Sequence, residues 1–429
     1  MRSALITALV VLWLTTPPVL AQSREVGYPT FLSPHSNPIV SAGDRVFVAN
    51  TPADTIDLID PATLAVTARV KVGIDPVSLA LRPDGKELWV SNHVSDSVSV
   101  IDIDASSDRY LQIIATISDF DPATRATRFD EPVGIAFASN EKAYVALSSE
   151  NRIAVIDVAS RQISRRLVIT AQDPRAIAVR GDRLYVIPFE SNNQTQISGC
   201  VGAPTGGLCT FDAQQHVVNT NNVLSQGIVV DIVREPRIPD RDLYVFDTAT
   251  DLQVQTVNGL GTMLYGIAVD SQGRVFVAQT DARNDVNGRA GTRGDGLAEM
   301  GNRAFLNQLT RVDCGSGSCA VPQRIDLEPR PPVNPAAGMA LATPFAVAIS
   351  ADDATLVATS AGSNQLFTLD PGSGEASGAA SDAQRHCAGI GRQRPRGAGM
   401  DLQRRRQQCF AGGSVGAGQS PAGADHRPG

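Results

Sequence analysis

An all-β fold built from one recurring four-stranded unit is what this sequence predicts, on three observations. Aromatic residues are sparse at 5%, while Val, Ile, Thr, Asp and Gly recur in short runs, a composition of short strands and tight turns. The stretch "VFVANTPADTIDLID" (Val46–Asp60) matches "LWVSNHVSDSVSVID" (Leu88–Asp102) position for position at an offset of 42. No unit contains a helical period, so a solenoid of strand–helix repeats is excluded.

Each element of the unit has its own warrant. The 15-residue segments above, with "AYVALSSENRIAVID" (Ala143–Asp157) and "LVATSAGSNQLFTLD" (Leu356–Asp370), read as a strand, a polar turn and a second strand closing on "ID" or "LD". That is a β-hairpin. Ahead of it stands a Pro-led apolar segment: "DPVSLAL" (Asp75–Leu81), "EPVGIAF" (Glu131–Phe137), "DPRAIAV" (Asp173–Val179) or "TPFAVAI" (Thr343–Ile349), with "YGIAV" (Tyr265–Val269) lacking the Pro. A turn such as "RPDG" (Arg82–Gly85) joins this inner strand to the hairpin, and "TLAVTARVKVG" (Thr63–Gly73) supplies a fourth strand. Two hairpins are split by insertions. "LYVIPFESN" (Leu184–Asn192) is completed by "DLYVFD" (Asp242–Asp247), and "RVFVAQTD" (Arg274–Asp281) by "NQLTRVD" (Asn307–Asp313). Four strands in roughly 40 residues is the signature of a β-propeller blade. Six blades stand in frame, with hairpins at 46–60, 88–102, 143–157, 184–247, 275–313 and 356–370.

The units resemble the YVTN-type β-propeller repeat of exported bacterial and archaeal proteins. "FVAN", "WVSN", "YVAL", the closing "VID" and "DPVSLALRPDG" carry the resemblance over about Val40–Gly374. It implies a seven-bladed ring, and three functional readings. The leading one is a protein- or ligand-binding scaffold. The others are a docking module for a haem peroxidase-like redox domain and a lactonase-like propeller hydrolase. A fold of this kind does not choose among them.

Six blades leave an open sheet edge, and the end of the chain is of a different composition. "MDLQRRRQQCFAGGS" (Met400–Ser414) is Arg-, Gln- and Gly-rich. Met-Asp is encoded ATG-GA(T/C), so a one-base shift forces TGG, which is Trp. The shifted stretch can read W-T-Y-N-A-V-D-N-S-V-S-L-V-D, with the same Trp-to-Asp spacing of 13 as Trp89–Asp102. "AQRHCAG" (Ala383–Gly389) shifted alike allows P-S-G-I-A-L, the inner-strand motif. The expectation is a frameshift between about Gly374 and Ser377, with a seventh blade lost to it. A basic disordered arm is the reading that composition alone would permit. The expected organisation is a signal peptide over 1–21, a lead-in over 22–39, a propeller over 40–375 and an out-of-frame, disordered tail over 376–429.

The two ends also set charge and compartment. The chain carries −7 overall; 376–429 holds eight Arg and three Asp (+5), leaving −12 for the remainder. That balance argues against a nucleic-acid surface. Arg2, the apolar Ala4–Leu14 and the small-residue Val19–Ala21 read as an export signal too short to span a bilayer. A periplasmic or secreted protein with no transmembrane segment after cleavage is expected. The pairs Cys200/Cys209 and Cys314/Cys319 bracket Gly-rich turns, as local disulfides of an exported protein do.

Loops between second and third strands, and loops leading into inner strands, emerge on one face of a propeller. The long insertions over 189–241, 280–305, 118–132 and 328–344 all fall in those classes, so that face is the expected binding face. Its candidate residues are His93 and Asp96 in one hairpin turn and Asp281, Asn284, Asp285 and Asn287 in "DARNDVNG". The latter run groups oxygen ligands and Gly as a Ca²⁺ loop would, without EF-hand order or a bidentate Glu. His93 reads as a metal or haem ligand or, more commonly for a turn, as a surface His. Asp54, Asp96, Asn151 and Asn364 recur in the turns, where turn chemistry accounts for them. The closing Asp60, Asp102, Asp157, Asp247, Asp313 and Asp370 are expected to cap strand ends. No G-x-S-x-G, P-loop, C-x-x-C-H or paired zinc ligands occur. No catalytic residue, confident metal site or in-chain cofactor is assigned, and the partner stays unnamed.

Overall fold

Successive residues of a strand point to opposite faces, and in this chain both faces of each sheet are apolar. The sheets must therefore stack. The computed structural model describes residues 33–190, 241–283, 301, 303–315 and 317–381, with the backbone of two short strands, Thr210–Asp212 and Ile232–Arg234.

Among the described residues, six four-stranded antiparallel units follow one another, each ordered from inner to outer strand, with the fourth and fifth joined into one eight-stranded sheet by the Glu190–Met263 pair. Blade one is Ile39–Ala42, Arg45–Asn50, Thr55–Ile59 and Val66–Lys71. Blade two is Pro76–Leu81, Glu87–Asn92, Ser97–Asp102 and Ile113–Ile117. Blade three is Pro132–Phe137, Lys142–Leu147, Arg152–Asp157 and Gln162–Val168. Blade four is Gln172–Arg180, Arg183–Glu190, Leu243–Asp247 and Gln253–Val257. Blade five is Met263–Val269, Arg274–Ala282, Phe305–Asp313 and Gln323–Asp326. Blade six is Pro344–Ile349, Leu356–Ser360, Gln365–Leu369 and Ala376–Ser381. Both split hairpins close as their residues require, Leu184 opposite Phe246 and Val275 opposite Val312.

The core is divided among the blade interfaces. Phe47, Ile56 and Leu58 of blade one meet Leu79, Leu88, Val90 and Ile101 of blade two. The alternate residue Trp89 joins Val98 and Val100 against Val145, Ala154 and Ile156 of blade three. Tyr144, Ile153 and Val155 meet Val186, Tyr244 and Phe246; Tyr185 and Val245 meet Val275 and Val277; Phe276 and Leu309 meet Leu356 and Phe367.

Near the axis the inner strands approach closely, and the residue there is small in every later blade: Ser78, Gly134, Ala176, Gly266, Ala346. A Cβ on Gly134 would lie 2.4 Å from the Arg175 carbonyl oxygen, and one on Gly266 2.4 Å from that of Phe345. The next blade's backbone fills the space a side chain would need.

The closing aspartates cap the following turns as expected. Asp60 accepts from the Ala62 and Thr63 N–H groups, Asp157 from Ser160, Asp247 from Thr250, Asp313 from Gly315 and Asp370 from Ser373. Asp102 likewise accepts from Asp104. These hydrogen bonds hold Asp60, Asp157, Asp247 and Asp370 below the usual carboxylate range.

One boundary differs from expectation. The blade-six outer strand runs Ala376–Ser381, beyond the expected propeller end at 375, and pairs with Gln365–Leu369. An outermost strand contributes mainly its ladder of backbone hydrogen bonds, a demand that many sequences meet. Cys314 and Cys319 are bridged. Cys200 and Cys209, the leader and residues 382–429 lie outside the described residues. Among the described residues no helix is long and apolar enough to cross a membrane.

Candidate functional site at the channel mouth

Four of the inner strands open on a residue held at positive φ: Asp75 (57°), Glu131 (49°), Asp173 (58°) and Thr343 (54°), each followed by Pro. Non-Gly residues adopt this conformation at a cost of about 1–2 kcal/mol. The offset comes from the preceding blade. The Asp75 N–H donates to Asp54 Oδ1 (3.0 Å), the Glu131 N–H to Asp96 Oδ1 (3.1 Å) and the Asp173 N–H to Asn151 Oδ1 (2.8 Å). Asp54, Asp96 and Asn151 are themselves at positive φ in their hairpin turns. They are more than turn formers: each latches its blade to the next. For Thr343 the acceptor is Asn307 Oδ1 at 2.9 Å. Directly after the Pro or Leu, the ladder slips register between Pro76 and Ser78, Pro132 and Ile135, Pro174 and Ala176, Leu264 and Gly266, and Pro344 and Val347. Such a bulge re-aims the side chain it carries.

The residues around these openings gather in two halves. In the first, Asp75 accepts from Ser33 Oγ at 2.7 Å. Thr51 donates to the Pro76 carbonyl at 2.6 Å, so its oxygen accepts from His35 Nε2 at 2.7 Å, which makes His35 the Nε2–H tautomer. Burial keeps His35 below the ordinary histidine pKa; nearby Asp75 pulls the other way and His93 adds to the lowering. His93 is 7% exposed, its Nε2 3.9 Å from Glu131 Oε2. It is a buried histidine, not the solvated turn residue that its position suggests, because its backbone is drawn in by a bond to the Asp75 carbonyl (2.8 Å). For Glu131, burial alone would raise the pKa, but hydroxyls of Ser149 (2.6 Å) and Ser148 (3.2 Å), with His93 and Arg175 nearby, hold it low.

In the second half, the bulge positions carry Arg175, Tyr265 and Phe345, where blades two and three carry Val77 and Val133. The Arg175 guanidinium pairs with Asp173 and lies 3.8 Å from the Phe189 ring centroid. Phe189 and Tyr265 meet edge-on with centroids 5.5 Å apart, and Phe345 lies tilted 5.5 Å beyond. The Tyr265 hydroxyl lies 3.3 Å from Thr280 Oγ1. Burial, reinforced by Asp173, raises the pKa of Glu190 at the edge of this ledge. Arg175 links the halves, since its charge acts on both Glu131 and Tyr265.

Three buried polar atoms here have no hydrogen-bond partner: His93 Nδ1, Asp173 Oδ1 and Arg175 Nε. Buried polar groups are ordinarily hydrogen-bonded, and two of these three, Asp173 Oδ1 and Arg175 Nε, belong to the ion pair that meets the aromatic ledge at Phe189.

Residues 29–120 match the family model of the YNCE-like beta-propeller, which takes in blades one and two. The chain is a β-propeller. The propeller also resembles Kuenenia stuttgartiensis hydrazine synthase, with a TM-score of 0.54 and 20% identity over 80% of this chain and 77% of that one. At that identity the likeness extends to the fold. No curated protein matches the chain.

Of the propeller's sequence-derived candidates, His93 joins the mouth, and Asp96 lies beside it as the latch on Glu131. Asp281 stands apart, its carboxylate accepting from Arg324 at 2.5 Å. Asn284, Asp285 and Asn287, the rest of the calcium-like run, lie outside the described residues. Among the described residues no three His, Cys, Asp or Glu side chains form a metal-holding group. His35, Arg175, Phe189, Tyr265 and Phe345 are additions. Aligning the inner-strand motifs would have exposed three of them: the column after the Pro changes from Val to Arg, Tyr and Phe.

Proposed function

We propose that this propeller is an exported binding module that receives a small molecule at the mouth described above. The observation that carries the reading is the juxtaposition of two unpaired buried atoms, Arg175 Nε and Asp173 Oδ1, with the Phe189–Tyr265–Phe345 ledge that Arg175 meets at Phe189. The ligand it suits has a flat apolar face for the ledge, an acceptor for Arg175 Nε–H, and a donor for Asp173 Oδ1. Stacking and desolvated hydrogen bonds of this kind each contribute about 1 kcal/mol or more. Export is supported by the Cys314–Cys319 bridge, which persists in oxidising compartments, and by the leader-like first 21 residues.

A thermal-shift screen of a small-molecule library against the wild type and an Arg175→Met/Tyr265→Leu variant tests the binding reading. Hits that stabilise the wild type and lose their effect in the variant are expected. Hits that stabilise both equally would count against the mouth. Recovery of the mature protein from the periplasm or medium, beginning at Gln22, is the expected result for export; an intact leader on cytosolic protein would refute it.

A further inference from the structure

The latch that joins successive blades is present in the sixth blade and has nothing to hold. Asn364 sits at positive φ (55°) in the blade-six hairpin turn, the position of Asp54, Asp96 and Asn151. In the three earlier blades the side-chain oxygen accepts the N–H of the residue that opens the next inner strand. In blade six Asn364 Oδ1 is buried and has no hydrogen-bond partner. A buried acceptor left unpaired is unfavourable, and here its three counterparts define the missing donor: the N–H ahead of an inner-strand Pro.

The packing of the six blades agrees independently. They share five interface cores, joining one to two, two to three, three to four, four to five and five to six. Among the described residues no such core joins six to one. Val46 and Val48, which alternate with Phe47 in blade one, and Val357, which alternates with Leu356 and Ala358 in blade six, belong to none of the five.

We infer that the space between blades six and one is the seat of a seventh four-stranded blade, encoded one base out of phase by the codons that follow the blade-six outer strand, after about 381. The codons themselves support that occupant. Asp382–Ala383 is GA(T/C)-GCN, which one base on allows Thr. With the motif already noted, the shifted frame can read T-P-S-G-I-A-L, against T-P-F-A-V-A-I at Thr343–Ile349. Its opening N–H is the donor that Asn364 lacks. The hairpin motif with its forced Trp follows in the right order. Closure of the ring by this blade does not depend on a ligand at the mouth.

The test compares the full chain as given with a chain whose frame is shifted by one base near codon 381, past the blade-six outer strand, each with and without Asn364→Gly. Glycine keeps the positive φ and removes only the acceptor. In the shifted chain we expect a higher melting temperature and slower proteolysis, with a clear fall in midpoint on Asn364→Gly. In the chain as given the substitution should leave the midpoint unchanged or raise it slightly, since it removes an unpaired buried acceptor. Equal stability of the two chains, or an equal effect of Asn364→Gly in both, would overturn the inference. So would a stable dimer of the chain as given, measured by light scattering, that shields blades one and six in hydrogen exchange, because a second copy would then be the occupant.

Discussion

Replacing Asn151 by Gly isolates the inter-blade latch. Asn151 Oδ1 accepts the Asp173 N–H at 2.8 Å, and Asn151 stands at φ 53°. Glycine at that φ relieves about 1 kcal/mol of backbone strain, and its greater freedom in the unfolded chain costs about 0.5–1 kcal/mol. Those two effects nearly cancel, which leaves the hydrogen bond. Removing one partner and stranding a part-buried N–H costs about 1–2 kcal/mol. The comparison is Asn364→Gly, the same change in a turn of the same conformation whose acceptor is unpaired; no loss, or a small gain from removing that acceptor, is expected there. Urea unfolding of both variants, followed by tryptophan fluorescence with the slopes checked for equality, measures the difference. Equal losses at the two positions would refute the latch, since backbone effects alone would then explain both.

Two further outcomes follow from packing and charge. Gly134→Ala places a Cβ 2.4 Å from the Arg175 carbonyl oxygen. Because backbone cannot swing aside, the expected loss is about 2–4 kcal/mol, and a melt within error of wild type would contradict the close approach. His35 has a folded pKa below its unfolded value of about 6.5, so the unfolded chain binds the extra proton and stability falls as pH drops below that value. His35→Gln should flatten that part of a pH–stability profile, and an unchanged slope would show that His35 is not its source.

The repeat was readable because it is dictated locally. Strand alternation, Asp- and Asn-bearing turns and closing aspartates recur in linear order, so even the split hairpins Leu184–Asp247 and Val275–Asp313 could be paired. The mouth was less readable because it is assembled across blades. His35 belongs to the lead-in outside the repeat, yet it reaches Thr51. Arg175, Tyr265 and Phe345 hide inside a motif whose other positions are structural. His93 looks like a surface residue until the Asp75 carbonyl draws its turn inward. The role of Asp54, Asp96 and Asn151 was half visible: their turn geometry is local, but the N–H each accepts lies some 20–35 residues on.

The binding reading is tested most directly by a crystallographic fragment screen on the full chain, soaking flat, polar fragments and mapping where they settle. The expected result is a cluster of fragments stacked on Tyr265 and Phe345 and hydrogen-bonded to Arg175 Nε, Asp173 Oδ1 or His93 Nδ1. An empty mouth, with fragments gathered elsewhere on the propeller, would contradict it.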